Sequence, residues 1–351
     1  MEYFLLFSNC ILVKGFLRST ICDLQRNKIY FIPNDLANLI IDSNNLLLKQ
    51  TIEKSVFFPW FQMLIVEELG FYTERPLCFP KIEMKWDSPE IINNAIIEMD
   101  NISEDVLHES IKKLNNARCK FIEFRYYKTS NIEILFDALY ILRNGYVRGV
   151  IIYIPFCKDN KLLQIKKILN STGLIREIIV HSVDAKIVEE IEDDRLFFTS
   201  QIISSNTHCG EISADYFAIN LNSFSESKKF NSCLNKKISI DSSGQVRNCP
   251  SMFDHFGSIK EFDIVNVAKN KKFTKYWNIS KTQISVCKDC EFKNVCTDCR
   301  AYVEEPDNQY SKPLKCGYNP YTNVWEEWST NPLKQKAIEC YSMQDLVKKD
   351  A

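Results

Sequence analysis

VCKDCEFKNVCTDCRAY, residues 286–302, places four cysteines, Cys287, Cys290, Cys296 and Cys299, within thirteen positions. Such a density of thiols asks for a metal centre, and two chemistries compete for it. Zinc favours tetrahedral thiolate sites built from two CxxC pairs, which these four residues could form alone. That reading leaves Cys209, Cys233, Cys249 and Cys316 unexplained, although all eight crowd into one C-terminal stretch. Iron–sulfur clusters take four cysteines each, so the eight make two 4Fe–4S sites with none left over. The grouping favours iron.

The spacing upstream supports a shared site. In CLNKKISIDSSGQVRNC, residues 233–249, KISI and QVRNC read as strands and DSSG as their turn, with Gly244 free to take positive φ. A hairpin of this kind brings its flanking cysteines together. The remaining cysteines, Cys10, Cys22, Cys78, Cys119, Cys157 and Cys340, are scattered. Several sit in strand-like surroundings, where cysteine behaves as a small buried hydrophobe.

The order C-x10-G-x4-C, gap, CxxC-x5-C-x2-C, gap, C resembles the SPASM domain, the C-terminal iron–sulfur module of many radical SAM peptide-modifying enzymes. The usual pattern has three residues in the interval that reads CTDC here, so the match departs by one position. The resemblance implies a first cluster held by Cys233, Cys249, Cys299 and Cys209, and a second held by Cys287, Cys290, Cys296 and Cys316. Seven of these match the motif position by position, and Cys209 of NTHCG is inferred as the eighth ligand. A narrower resemblance spans the chain. FSNCILVKGFLRSTICDLQRNKIYFIPNDL, NTHCGEISADYFAIN and CKDCEFKNVCTDCRAY look like SPASM-domain peptide maturases of the grasp-with-spasm type. That family is implied to act beside an ATP-grasp ligase on a ribosomally made precursor peptide.

Upstream, the pattern between about 90 and 205 alternates strand and helix. NNAIIEMD, CKFIEFRYY, GVIIYIP, EIIVHSV and RLFFTSQII are strand candidates; SEDVLHESIKKLNNA, NIEILFDALYILRNG, DNKLLQIKKILNSTG and VDAKIVEEIEDD are helices between them. Repeated βα units imply a parallel sheet with right-handed crossovers, here a partial α/β barrel of about five strands. A radical SAM enzyme carries CxxxCxxC in the loop after its first barrel strand. The corresponding place reads NISEDVLHES, and no CxxxCxxC occurs in the chain. Reductive cleavage of S-adenosylmethionine therefore has no obvious site, and the middle region reads as a degenerate radical SAM-like barrel.

Residues 1–75 begin with β-like runs (EYFLLFS, NCILVKG, STICDL, KIYFIP). Two helical patterns follow, NDLANLIIDS after an Asn34 cap and FFPWFQMLIVEELG closing at Gly70. This reads as a winged-helix-like α+β unit and weakly resembles the leader-peptide recognition element of peptide maturases. Lys14, Arg18, Arg26 and Lys28 lend it a mild basic character that would suit an acidic leader or nucleic acid, the latter disfavoured because no basic patch with aromatic interleaving is present. FYTERPLCFPK reads as a linker. The expected domains are thus 1–75, 76–205 (partial barrel), 206–330 (SPASM) and 331–351 (a tail helix).

Composition bounds the partners. The chain has 351 residues, 25% charged, with a formal net charge of −1, so no overall basic excess points to nucleic acid or an anionic membrane. The opening MEYFLLFSNCILVKGF lacks a basic n-region, and no run is long and apolar enough to span a bilayer, which together point to a cytoplasmic protein. No GxxxxGK[ST] or GxGxxG is present, so the ATP-using partner is a different chain. Among the four histidines, His208 beside Cys209 is the candidate for tuning a cluster, and His108 reads as helix surface. Trp325 and Trp328 are candidates for covering the second cluster, with a plain aromatic core contact as the commoner role.

Overall fold

Short β-branched and aromatic runs punctuated by Asn and Gly dictate strands in the first thirty residues. A computed structural model describes residues 1–44, 46–128, 132–156, 161–184 and 193–348. It holds two units, one of Met1–Asp87, Glu211–Ser232 and Asn278–Ala351, the other of Ser88–Gly210 and Cys233–Trp277. The expected helix VDAKIVEEIEDD lies largely outside the described residues.

The first unit opens with β1 (Tyr3–Leu6), β2 (Cys10–Lys14), β3 (Arg18–Asp23) and β4 (Lys28–Pro33). These are followed by α1 (Asn34–Asp42), β5 (Leu47–Leu48), α2 (Lys49–Glu53), α3 (Phe58–Val66) and β6 (Gly70–Thr73). They form two antiparallel three-stranded sheets, ordered β5-β1-β6 and β2-β3-β4. Strand alternation sends the side chains of β2–β4 into two apolar layers. Cys10, Ile21 and Ile32 pack with Leu36, Ile40, Phe61 and Leu64, whereas Val13, Cys22 and Leu24 pack with Phe224, Phe292, Val295 and Tyr318.

Two local expectations change. Asn34 is the first residue of α1, with the extended Pro33 at the cap position. Its amide is used elsewhere, donating to Phe16 O at 2.7 Å and accepting from the Ser19 hydroxyl at 2.6 Å. Gly70 does not close α3, which ends at Val66; it begins β6 and pairs with Leu6. A Cβ there would stand 2.5 Å from the Phe4 ring and 2.6 Å from Leu5 O, so glycine is required by close strand approach.

The second unit is built on a seven-stranded sheet. Its elements are β7 (Asn94–Glu98), α4 (Glu104–Asn116), β8 (Phe121–Arg125), α5 (Glu133–Leu142), β9 (Gly149–Pro155), α6 (Lys161–Ser171), β10 (Ile175–His181), β11 (Leu196–Phe198), β12 (Lys237–Ile240) and β13 (Val246–Arg247). The order is β11-β10-β9-β8-β7-β12-β13. All neighbours are parallel except β12 and β13. The five βα-derived strands follow the sequence pattern. The hairpin is added on the β7 side, a non-local pairing that periodicity does not reveal. One sheet face carries Ala95, Ile97, Ile122, Phe124, Val150, Ile152, Ile178 and Val180, in one core with Leu107, Ile111 and Leu114 of α4 and Leu135, Ala138 and Leu139 of α5.

The first unit is completed by α7 (Leu221–Ser227), the hairpin β14 (Tyr318–Asn319) and β15 (Val324–Trp325), and α8 (Gln335–Cys340). The tail is less helical than its composition suggests. After α8 the chain turns at Ser342 (φ 54°), and Met343 N–H returns to Ile338 O at 2.9 Å. No described helix is long and apolar enough to cross a membrane.

Gly70→Ala is expected to destabilise the protein by about 1–3 kcal/mol, the usual cost of forcing a methyl into a filled core. Urea denaturation should show a lower midpoint at unchanged slope.

Candidate functional site

The thiols assemble in two places. In the second unit, the β12–β13 hairpin closes through Asp241, whose carboxylate accepts the Ser243 and Gln245 N–H groups at 3.0 and 2.9 Å. Gly244 takes φ +86°, as its turn position requires. Cys233 precedes this hairpin and Cys249 follows it. The 3-10 turn Asn206–His208 is tied to the segment after Cys249, by the Asn206 amide to Pro250 O at 2.8 Å and the Ser251 hydroxyl to Asn206 O at 3.2 Å. That delivers Cys209 to the same region. Burial pushes the Cys249 thiol up to about 12, and the neighbouring sulfurs of Cys233 and Cys209 push the same way. Lys237 of β12 donates to Cys233 Sγ at 3.5 Å. Burial alone would lower the Lys237 pKa, but the Cys233, Glu123, Cys209 and Cys249 side chains overcome it and the pKa is raised.

In the first unit, Cys287 opens a 3-10 turn preceded by Val286 in the left-handed region. Cys290 Sγ accepts the Phe292 N–H at 3.4 Å, and Cys296 N–H bonds Phe292 O at 2.9 Å. Cys316 bridges to Ile212, and its loop is held by the buried Lys334, which donates to Leu314 O and Cys316 O at 2.8 and 2.7 Å. Lys281, only 4% exposed, donates to Cys296 Sγ at 3.3 Å. Burial opposes its charge, yet Cys296, Cys287, Asp298 and Cys316 together raise its pKa. Burial likewise pushes Cys287 up to about 12 and raises Cys290 and Cys296. Cys299 belongs to this unit too, buried with Tyr302, Leu314 and Ile338.

Beneath Lys281 lies a charge network. Asp298 pairs with Arg300 at 2.7 Å and with Lys281 at 3.8 Å, and it accepts the Asn231 amide at 2.6 Å. Two buried cations thus share one carboxylate. The surplus positive charge is offset when a facing thiol ionises, which is what cluster or metal ligation demands.

Among the described residues, no group of three or more His, Cys, Asp or Glu is arranged to hold a single metal ion. A 4Fe–4S cluster takes one thiolate per iron, so its sulfurs surround a body and need not converge on a point. The donor chemistry fits such a cluster: sulfur ligands, largely buried, with a lysine donating to one sulfur in each place.

Sequence reasoning missed the second face of the large sheet. Asn94, Ile96, Glu98, Glu123, Arg125, Ile151, Tyr153, Lys237 and Ser239 share it, opposite the core face. Arg125 pairs with Glu123, and its guanidinium lies 5.6 Å from the Tyr153 ring. Glu98 is raised by burial, with Tyr127, Asp241, Arg125 and Arg247 around it. The Ser239 hydroxyl is buried without a hydrogen-bond partner among the described residues. The signal was the alternation Phe121-Ile122-Glu123-Phe124-Arg125, which puts charge at every second position of a central strand. At the C-terminal end of β7, where CxxxCxxC would stand, Asp100 accepts the Tyr127 and Lys128 N–H groups at 2.9 and 3.2 Å. Ser103 caps α4.

The other candidates are placed as follows. His208 Nε2 is 3.3 Å from the Ser204 hydroxyl, and His108 is exposed on α4. Trp325 packs on Phe217, Phe292 and Tyr318 in an aromatic cluster. Trp328 lies 5.5 Å from the Lys315 ammonium. Two of the four basic N-terminal residues are engaged by carboxylates, Arg18 by Glu291 and Arg26 by Asp23. Lys14 bonds the Asn38 side chain at 2.6 Å.

No protein-family model matches the sequence, and no curated protein matches it. Among solved structures, Streptococcus suis SuiB bound to S-adenosylmethionine matches at 11% identity and a TM-score of 0.35, over 89% of this chain and 99% of that one. SuiB bound to the precursor peptide SuiA matches at 11% identity and a TM-score of 0.30, over 89% and 98%. Likeness at this level establishes neither a shared fold nor a shared chemistry.

Thiol reactivity and alkaline stability should follow burial. Cys22 and Cys119 are fully buried, with pKa values pushed up to about 12 by desolvation. The unfolded chain releases these protons at its ordinary value near 8.5–9, so the fold binds them more tightly above that pH. Metal-free protein should hold its thermal midpoint to about pH 9 and lose it as pH rises toward 12. Alkylation of folded, metal-free protein near pH 8 should label the exposed Cys78, Cys209 and Cys340 first. Cys22 and Cys119 should react roughly a thousandfold more slowly.

Proposed function

We propose that the chain is a SPASM-type iron–sulfur protein of the grasp-with-spasm kind, acting with an ATP-grasp ligase in maturation of a ribosomally made precursor peptide. Its part is that of a peptide-docking or accessory factor. The observation that carries the metal assignment is the buried pair Lys281 and Arg300 on the single carboxylate Asp298, facing Cys296, Cys287 and Cys316. Cys287, Cys290, Cys296 and Cys316 would hold one 4Fe–4S cluster, and Cys209, Cys233 and Cys249 would ligate the other. When bound, such clusters supply cross-linking of irregular chain and a capacity for one-electron transfer.

This chain's residues do the rest. Lys237 and Lys281 place a positive charge against one sulfur of each set, which favours the more negative, reduced state. The winged-helix-like unit would take the leader by strand addition, since the β2–β3–β4 sheet has two edges without a neighbouring strand among the described residues. S-adenosylmethionine cleavage is not assigned, because no CxxxCxxC is present.

Anaerobically purified protein is expected to contain about eight irons and eight sulfides per chain. Cys233→Ala or Cys296→Ala should each halve the iron. One or two zincs without sulfide would overturn the assignment. Lys281→Met should leave a cluster at least tenfold harder to reduce, about 59 mV lower for one electron, by EPR-monitored titration. In reconstitution with an ATP-grasp ligase and its precursor, unchanged product yield and regiochemistry on omitting this protein would overturn the accessory role.

A further inference from the structure

The chain has eleven arginines. Six are in ion pairs: Arg18, Arg26, Arg125, Arg195, Arg247 and Arg300. Of the five that pair with no carboxylate among the described residues, Arg75 lies in the first unit. The other four, Arg118, Arg143, Arg148 and Arg176, gather at the N-terminal edge of the large sheet, where β8, β9 and β10 begin, and all four are exposed. We propose that this edge is a docking surface for an acidic segment of a partner protein. It belongs to the second unit and shares no residue with the cysteine sites. The four arginines stand apart in sequence, and only the sheet brings them together.

The edge is built rather than merely charged. Ile175 pairs with Val150 and Glu177 with Ile151, so Arg176 is the extra residue of a β-bulge. A bulge re-aims the side chain it carries. A Cβ at Gly149 would stand 2.9 Å from Arg176 Cγ and 2.8 Å from the Phe121 ring, so glycine there lets the arginine stem and the ring close over the strand. Arg176 donates to Arg148 O at 3.1 Å, and Arg148 to Gly145 O and Val147 O at 3.0 Å. Tyr146 N–H is held by Asn115 Oδ1 at 2.6 Å. The Arg118 and Arg148 guanidiniums stand over its ring, 5.5 and 5.6 Å from the centroid. Arg143 stands over Tyr140 at 5.9 Å and donates to Ser171 O. Backbone carbonyls take up at most two of the five N–H donors of each guanidinium, which leaves planar forks open to carboxylates. Glu177, next along β10, pairs with none of them.

Composition decides the class of partner. Protein–protein contact surfaces are enriched in Arg and Tyr and depleted in Lys. The lysines on the flanking turns are withdrawn, Lys120 to Glu90 at 2.6 Å and Lys113 to Lys260 O at 2.9 Å. A nucleic acid stacks its bases on open aromatic faces, whereas the Tyr146 and Tyr140 rings face cations. Phe121, 43% exposed beside Arg176, adds an apolar spot. The fitting segment therefore sets carboxylates around an apolar residue.

The test uses full-length protein with a labelled Glu-rich peptide carrying a central Leu, its Gln counterpart, an oligothymidylate of the same length and phosphatidylserine vesicles. The Glu peptide should bind saturably, weaken with added salt and slow amide exchange in segments 117–121 and 143–149. The Gln peptide should bind at least roughly tenfold more weakly, as should the Glu peptide to Arg118→Gln/Arg148→Gln/Arg176→Gln protein of unchanged circular dichroism. Arg75→Gln should leave binding unchanged. Equal binding of the Gln peptide, no loss in the triple variant, or no saturable binding would overturn the proposal. Tighter binding of the oligothymidylate or the vesicles than of the Glu peptide would overturn the assignment to a protein partner. Binding that survives in the triple variant and slows exchange in segment 10–14 belongs to the N-terminal unit; it would remove this surface and leave the leader-binding reading standing.

Discussion

A buried ammonium cannot stay charged without a counter-charge, and Lys281 is the place where this constraint shapes the C-terminal region. Its partner Asp298 is already committed to Arg300 and Asn231. The nearest remaining candidates are sulfurs. A thiol in an apolar setting resists ionisation, as the raised values of Cys287, Cys290 and Cys296 show. A lysine and a thiol buried together therefore satisfy each other best when the thiol gives up its proton to a metal centre. Neither residue is well placed for a purely apolar core, and the pairing recurs at Lys237 and Cys233. This recurrence in two separate units is hard to derive from packing alone.

The same constraint explains why the irregular stretch after residue 205 folds at all. Its backbone is organised by short turns and by lysine ammoniums bonded to main-chain carbonyls, as with Lys334 on Leu314 and Cys316. Apolar help comes from elsewhere in the same unit: Phe292 and Tyr318 pack against Val13, Cys22 and Leu24 of the first strands. Glu291, almost fully buried, is bound by Arg18 at 2.7 Å and by the Tyr318 hydroxyl at 2.5 Å. The N-terminal sheet is thus structural for the cysteine-rich segment, and Arg18, which looked like part of a basic surface, serves that purpose.

Legibility in the sequence followed interaction range. The βα alternation from β7 to β10 and the hairpin turn at Gly244 are local patterns, and both appear in the structure where periodicity and turn chemistry place them. Gly70 was misread because a helix stop and a tight strand approach ask for the same residue; only the position of the Phe4 ring separates them. The pairing of β12 with β7 joins residues about 140 apart and leaves no periodic trace. The charged sheet face was visible as alternation in FIEFR but was absorbed into a strand assignment, since one strand cannot show that its neighbours also place Glu98, Tyr153 and Lys237 on that face.

That face bears on the relation between fold and chemistry. A parallel sheet normally buries both sides and reads as continuous apolar strands. Here the side away from α4 and α5 carries an ion pair, a buried hydroxyl without a partner among the described residues and a lysine bonded to a cysteine. Such polar groups cost stability unless satisfied. The loop at its C-terminal edge is closed by Asp100 on two backbone N–H groups. The sheet therefore keeps a polar platform beside Cys209, Cys233 and Cys249, with Lys237 joining the two.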